Sequence, residues 1–153
     1  MMPITQKGLE TLKKKYEEVK VEFEKMPAII GEAREKGDLK ENAEYHAARE
    51  RQSLLNADLS KLKSDITGSQ VVDVKGLPPD VVTFGKKLTL TSEGNEDIYY
   101  IVGPAESDGD KNYLAVTSKF VKNFLGKKEG ESLEVQMANG KKSFSITKVE
   151  YMV

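Results

Sequence analysis

Leu9 to Gly37 reads LETLKKKYEEVKVEFEKMPAIIGEAREKG, and its apolar residues recur at Leu9, Leu12, Tyr16, Val19, Phe23, Met26, Ile30 and Ala33. The steps between them alternate three and four without a fault. That is a heptad seam over about three and a half repeats, with charge at most positions between. One apolar stripe on an otherwise charged helix buries a single face. Pro27 falls inside the seam, where its ring removes an N–H and clashes with the preceding turn at a cost of ~3 kcal/mol or more. A kink or local break is therefore expected at roughly 25–28. The seam resumes in phase beyond it, so the helix continues.

Across Gly37 the pattern returns. Tyr45, Ala48, Gln52, Leu55, Leu59, Leu62 and Ile66 again step by three and four, with Gln52 the one polar member. Two seams joined by a short turn read as an antiparallel helical hairpin. It is either a projecting coiled coil or two helices lying on a globular core, and the single stripe on each arm favours the first. An arm of roughly 30 residues at about 1.5 Å per residue is on the order of 45 Å long.

The joining stretch, GDLKENAEYHAARE from Gly37 to Glu50, admits two readings. Gly37 suits the left-handed position that closes a helix. Asp38 is a good N-cap, Glu41 three residues later completes an Asp version of the capping box, and both acids favour the positive end of the second helix dipole. Local physics alone thus accounts for the turn. Two carboxylates on one solvent-facing turn are also a partial site for Mg²⁺, which often takes only one or two protein carboxylates and keeps several waters. Such a pair is weak unless a partner supplies further ligands. Cap and site need not compete, because a capping carboxylate keeps unused lone pairs.

After Ile66 the texture changes. TGSQVVDVKGLPPD carries Gly, Ser and a Pro-Pro pair and marks a linker. Strand signals follow: KKLTLTS and DIYYIVG flank EGNE, while ESLEVQM and KSFSITKVEY flank ANGK, whose Asn139-Gly140 is a strong hairpin signal. YLAVT reads as another strand. SKFVKNFLG reads as a short helix with Ser118 as N-cap and Gly126 at its end. The expected fold class is α+β: an antiparallel coiled-coil hairpin over residues 1–75, its acidic tip near 37–45, then a small α+β domain over 76–153 with a mostly antiparallel sheet.

Composition narrows the function. The 153 residues include 24 Lys/Arg and 25 Asp/Glu, a net charge of −1, which argues against coating nucleic acid by bulk positive charge. The absence of cysteine fits a reducing compartment. The N-terminus lacks an apolar run behind a basic start, and no stretch approaches the roughly 20 apolar residues of a membrane span, so a soluble cytoplasmic protein is expected. A P-loop, a dinucleotide fingerprint, a G-x-S-x-G elbow and H-E-x-x-H are all missing. His46 is the sole histidine, which leaves no second imidazole for a metal cluster.

EAREKGDLKENAEYHAARE, from Glu32 to Glu50, closely resembles the tip signature of the Gre family of bacterial transcript cleavage factors. The likeness extends over nearly the whole chain, through TQKGLETLK, QVVDV, VVTFGKKLTL, YYIVGPAESD, FLGKKEGESLEV and ITKVEY. The resemblance implies a long coiled coil followed by an FKBP-like domain. It implies that the globular domain docks at the rim of the RNA polymerase secondary channel while the coiled coil reaches the active site. There the tip acids, which fall on Asp38 and Glu41, would share the second Mg²⁺ with the polymerase, with no cofactor stably bound by the factor alone. The polymerase itself would then hydrolyse backtracked RNA, so the chain is a cofactor rather than an enzyme.

Glu44 and Tyr45 lie in the same motif as supporting residues, and Arg34, Arg49 and Arg51 are candidates for the family's basic patch, which contacts the RNA 3′ segment. One departure is SKFVKNFLG, which stands where the family more usually has a Ser-Pro-Ile start. The lack of tryptophan and of a recognisable aromatic pocket argues against prolyl isomerase activity. Two other functions are weighed against cleavage stimulation: a structural coiled-coil adaptor whose tip is only a capped turn, and a channel-binding inhibitor of the polymerase.

Overall fold

The computed structural model describes residues 1–38 and 42–152. It divides into two compact units, Leu9–Gly68 and Met1–Gly8 with Ser69–Val153. No helix among the described residues is long and apolar enough to cross a membrane.

The helical unit is formed by α1 (Gln6–Glu35) and α2 (Ala43–Thr67). Every seam residue named from the spacing is buried or half-buried, and nearly every position between is exposed. Met26, Ile30, Ala48 and Leu55 form the centre of the packing, with Val19, Phe23 and Tyr45 against them. Arg51 also links the two arms, its Nε and Nη2 both donating to Glu22 Oε1 at 3.0 and 2.7 Å. Both partners are about half exposed, so this pair is worth no more than ~1 kcal/mol.

The break expected near Pro27 is not observed, since α1 runs through it without interruption. Pro27 lies on the exposed face between buried Met26 and Ile30. A helix curves with its convex side toward solvent, where its hydrogen bonds lengthen. A missing N–H is tolerated best on that side, because water can serve the orphaned carbonyl.

The sheet unit begins with β1 (Met2–Ile4), which pairs in parallel with β2 (Ser69–Val71). Its main sheet comprises β3 (Lys86–Ser92), β4 (Asn95–Val102), β5 (Tyr113–Ala115), β6 (Ser132–Met137) and β7 (Gly140–Tyr151), ordered β5-β4-β3-β7-β6. All neighbours are antiparallel except β4 and β5. The β3–β4 turn has two residues, Glu93 and Gly94, both at positive φ (53° and 81°). That backbone matches the right-handed twist of a hairpin. At the second hairpin Met137 pairs with Gly140, so the loop residues are Ala138 and Asn139, one place earlier than the Asn139-Gly140 signal indicates.

The short helix α3 spans Lys119–Lys122, and Ser118 Oγ caps it by accepting from Val121 N–H at 3.2 Å. It is briefer than its sequence implies, and the chain turns on to Gly126 at φ 83°. Gly126 N–H then donates to Val82 C=O at 2.9 Å. Phe120, Phe124 and Phe144 meet edge to face over the sheet at 5.1–5.7 Å. Leu88, Leu90, Ile101, Val121 and Ile146 complete this core.

Two polar constructions, one half-buried and one buried, tie distant parts of the unit together. Glu106 accepts from Thr5 N–H at 3.1 Å and Gly103 N–H at 2.9 Å, and also from the Thr5 hydroxyl. Thr5 Oγ1 in turn accepts from Gly8 N–H at 3.0 Å, in the first turn of α1. This is a capping box whose acid comes from 101 residues away, since Gly8 occupies the position where a local Glu would stand.

The second construction is Lys86, which has no exposed surface. Its ammonium donates to the carbonyls of Pro78 and Val81 and lies 4.5 Å from the centre of the Tyr151 ring. Burial pushes its pKa below the ordinary 10.5, with Asp80 opposing in part. The unfolded chain therefore holds this proton more tightly, and its contribution to stability rises with pH in the window below 10.5. Compared with Lys86→Met, the wild type is expected to gain stability as pH rises from about 7 to about 10. Thermal melts of both proteins read the difference; a wild-type Tm that does not rise relative to that of Lys86→Met contradicts the assignment.

Candidate functional site at the hairpin tip

α1 ends in Ala33, Arg34 and Glu35, after which Lys36 N–H donates to Ala33 C=O at 3.2 Å. Gly37 follows at φ 146°, a conformation that a β-carbon disfavours. Asp38 is exposed at the end of this turn. Glu41, the second acid singled out from the sequence, lies outside the described residues.

The expectation that Asp38 caps α2 is corrected. The N-cap is Asn42 (φ −84°, ψ 96°), whose Oδ1 accepts from Tyr45 N–H at 3.0 Å. Its Nδ2 donates to Ala33 C=O at the end of the other helix. The physical reason is that an amide both accepts and donates, so one side chain serves both helix ends, whereas an ionised Asp only accepts. The sequence carried a signal, an Asn directly before the first helical residue. The Asp-x-x-Glu spacing four residues earlier imitated it.

Two further ties cross the tip. Lys36 Nζ lies 3.1 Å from Glu44 Oε2, and both side chains are well exposed. Arg34 Cζ stands 5.8 Å from the centre of the Tyr45 ring, which also meets His46 edge to face at 5.5 Å. Tyr45 is half-buried against the seam. Glu44 and Tyr45, expected to play supporting roles, thus both bind across the turn.

The three candidate RNA-contact arginines are in different situations. Arg34 is over Tyr45 and Arg51 is held by Glu22. Arg49 is exposed and forms no ion pair among the described residues.

Lys36, Gly37, Asp38, Asn42, Ala43 and Glu44 line a shallow concavity of about 350 Å³. Its carboxylates are hard oxygen donors, the chemistry that suits Mg²⁺, although one is already engaged by Lys36. Among the described residues no group of three or more His, Cys, Asp or Glu side chains gathers as a metal site. Mg²⁺ bound by so few carboxylates would have to take most of its ligands from elsewhere.

Fold and tip together define a protein with one α+β unit and one helical hairpin ending in an acidic, cross-tied turn. Residues 2–71 match the family model described as transcription elongation factor, N-terminal, and residues 77–151 match the one described as transcription elongation factor, GreA/GreB, C-terminal. A protein of Jannaschia sp. (strain CCS1) named transcription elongation factor GreA is 40% identical over 154 residues, covering 99% of this chain and 98% of its own. One of the same name from Rickettsia conorii is 38% identical over 152 residues, covering 97% and 94%. The chain belongs to the GreA/GreB family of transcription elongation factors.

Proposed function

We propose that this chain is a cytoplasmic elongation factor that binds bacterial RNA polymerase, inserts its helical hairpin into the secondary channel and stimulates the polymerase's own cleavage of backtracked RNA. The observation that carries this reading is the division of labour at the tip. Asn42, rather than Asp38, caps α2, so replacing the Asp38 carboxylate leaves that cap in place. At about 1.5 Å per residue the 30-residue α1 is about 45 Å long.

In this reading Asp38 and Glu41 hold a Mg²⁺ jointly with the polymerase. The ion would supply a nucleophilic water and charge stabilisation for phosphodiester hydrolysis. Glu44 and Tyr45 keep the turn in shape through Lys36 and Arg34. Among the described residues Arg49 has no ion pair to give up before meeting an RNA phosphate, whereas Arg51 is paired with Glu22. The chain itself completes no active site alone.

The test adds the protein to a stalled, backtracked elongation complex and follows the length of the RNA. The expected result is rapid shortening from the 3′ end that requires both polymerase and the factor. Failure to bind polymerase would favour the adaptor reading, and binding that blocks synthesis without shortening would favour an inhibitor.

A further inference from the structure

We propose that the end of the hairpin opposite the tip carries a docking groove, between Lys13 and Lys63, for an acidic segment of the polymerase that also bears an apolar side chain. The proposal rests on the proposed function and adds to it a contact remote from the tip.

The two flanks of the helical seam differ in charge. Lys13, Lys20 and Arg34 each directly follow a seam residue of α1, as Arg49 and Lys63 do on α2. Positions one step past the seam of an antiparallel helix pair line the same flank of both helices. The other two such places hold Pro27 and Asn56, so this flank has five cations and no acid. The opposite flank mixes the signs, with Lys15 and Glu22 on α1 and Arg51, Asp58 and Asp65 on α2. There Arg51 is paired with Glu22. On the basic flank all five cations are exposed, and Lys13, Lys20 and Lys63 form no ion pair among the described residues.

Lys13 and Lys63 line one concavity of about 340 Å³ together with Tyr16, Glu17, Ile66 and Thr67. Tyr16 and Ile66 are half-buried seam residues, and the lining between the lysines is mainly apolar. Lysine stems add further carbon surface while their ammoniums stay in water. Two ammoniums beside an apolar floor fit a carboxylate next to an aliphatic or aromatic side chain. A phosphodiester strand fits less well. Glu17 borders the groove and would repel phosphate. The arginine forks that match phosphate geometry lie on this flank only toward the tip, at Arg34 and Arg49.

Lys13→Gln combined with Lys63→Gln is expected to keep the wild-type helical melt and the wild-type rate of RNA shortening at saturating factor. The concentration for half-saturation of polymerase should rise by about 5- to 30-fold at low salt, the scale of two lost charge pairs, and the loss should shrink as salt is raised. Lys13→Arg with Lys63→Arg keeps the charge and should recover most of the affinity. Lys14→Gln with Lys25→Gln removes two exposed lysines of α1 that lie off this flank, and it should bind as wild type does.

Wild-type affinity in the Lys13→Gln, Lys63→Gln protein would overturn the proposal and leave the proposed function standing. An equal loss from the Lys14→Gln, Lys25→Gln control would do the same. So would a Lys13→Gln, Lys63→Gln protein that binds polymerase normally but loses affinity for a single-stranded RNA oligonucleotide, which would assign the groove to RNA. A wild-type protein that fails to bind polymerase would overturn both.

Discussion

Asp38→Asn combined with Glu41→Gln is expected to reduce stimulated RNA cleavage by roughly 10²–10³-fold, the scale on which one preorganised charge-stabilising group acts in a transition state. The amides keep size and polarity but lose the negative charge that holds a divalent cation. Because Asn42 is the N-cap of α2, neither substitution removes that cap. The helical melt and the affinity for polymerase should therefore stay near wild type. Cleavage rates at saturating factor, measured beside a binding titration, read both quantities. Full cleavage by the double variant would remove the acids from the mechanism, and a collapse of the hairpin melt would return them to a capping role.

The second large effect is expected at Gly103→Ala, far from the tip in sequence. A β-carbon there would meet Pro3 O at 1.8 Å and Pro3 C at 2.9 Å. Gly103 sits at φ −72°, which any residue adopts, so the objection is purely steric. The obstructing atoms are backbone, held by the pairing of β1 with β2 and by the Glu106–Thr5 bonds. They cannot rotate away as a side chain can. A loss of about 3 kcal/mol or more is expected, at or above the top of the usual ~1–3 kcal/mol for overpacking because the obstructing atoms are backbone. For a unit of this size that corresponds to a fall in Tm of at least about 12 °C.

Gly8→Ala is the useful contrast. Its β-carbon would meet Glu106 Oε1 at 1.9 Å, but that atom ends a rotatable side chain. The carboxylate can swing aside at the cost of its hydrogen bonds, about 1–3 kcal/mol for a charged acceptor. Scanning calorimetry of the two variants checks the ranking. A Gly103→Ala melt within about 3 °C of wild type would contradict the close approach, given the scale of Tm against stability.

The hairpin was legible because its information is local and periodic. Every residue from Leu9 to Ala33 and from Tyr45 to Ile66 that the three-four spacing selects faces inward. The main strands were legible for the same reason, as alternating runs beside Gly-containing turns. Pro27 misled because the rule for an interior proline takes no account of which face it occupies, and here that face is solvent.

What escaped sequence reasoning is long-range. The three residues Met2–Ile4 carry no periodic signal, and their partner strand begins at Ser69. Glu106 completes a capping box for Thr5 from 101 residues away. At the tip, Asn42 was overlooked because half of its role is a bond to Ala33, nine positions back across the turn. Lys86 has the alternation of an inward residue, in phase with Leu88 and Leu90, yet a charge there reads as outward until Pro78, Val81 and Tyr151 are seen around it.

The chain contains no cysteine, so one introduced thiol reports on one place. Ala43→Cys puts it at the exposed first residue of α2, beside the acidic turn, and Lys141→Cys puts it at an exposed position of β7 in the sheet unit. The measurement is cross-linking of each protein to a thiol-reactive nucleotide at the RNA 3′ end in a backtracked polymerase complex. If the hairpin tip works inside the polymerase active site, Ala43→Cys forms the adduct and Lys141→Cys does not. Complexes that hold the protein yet give no adduct at Ala43→Cys, or an equal one at Lys141→Cys, would contradict that placement.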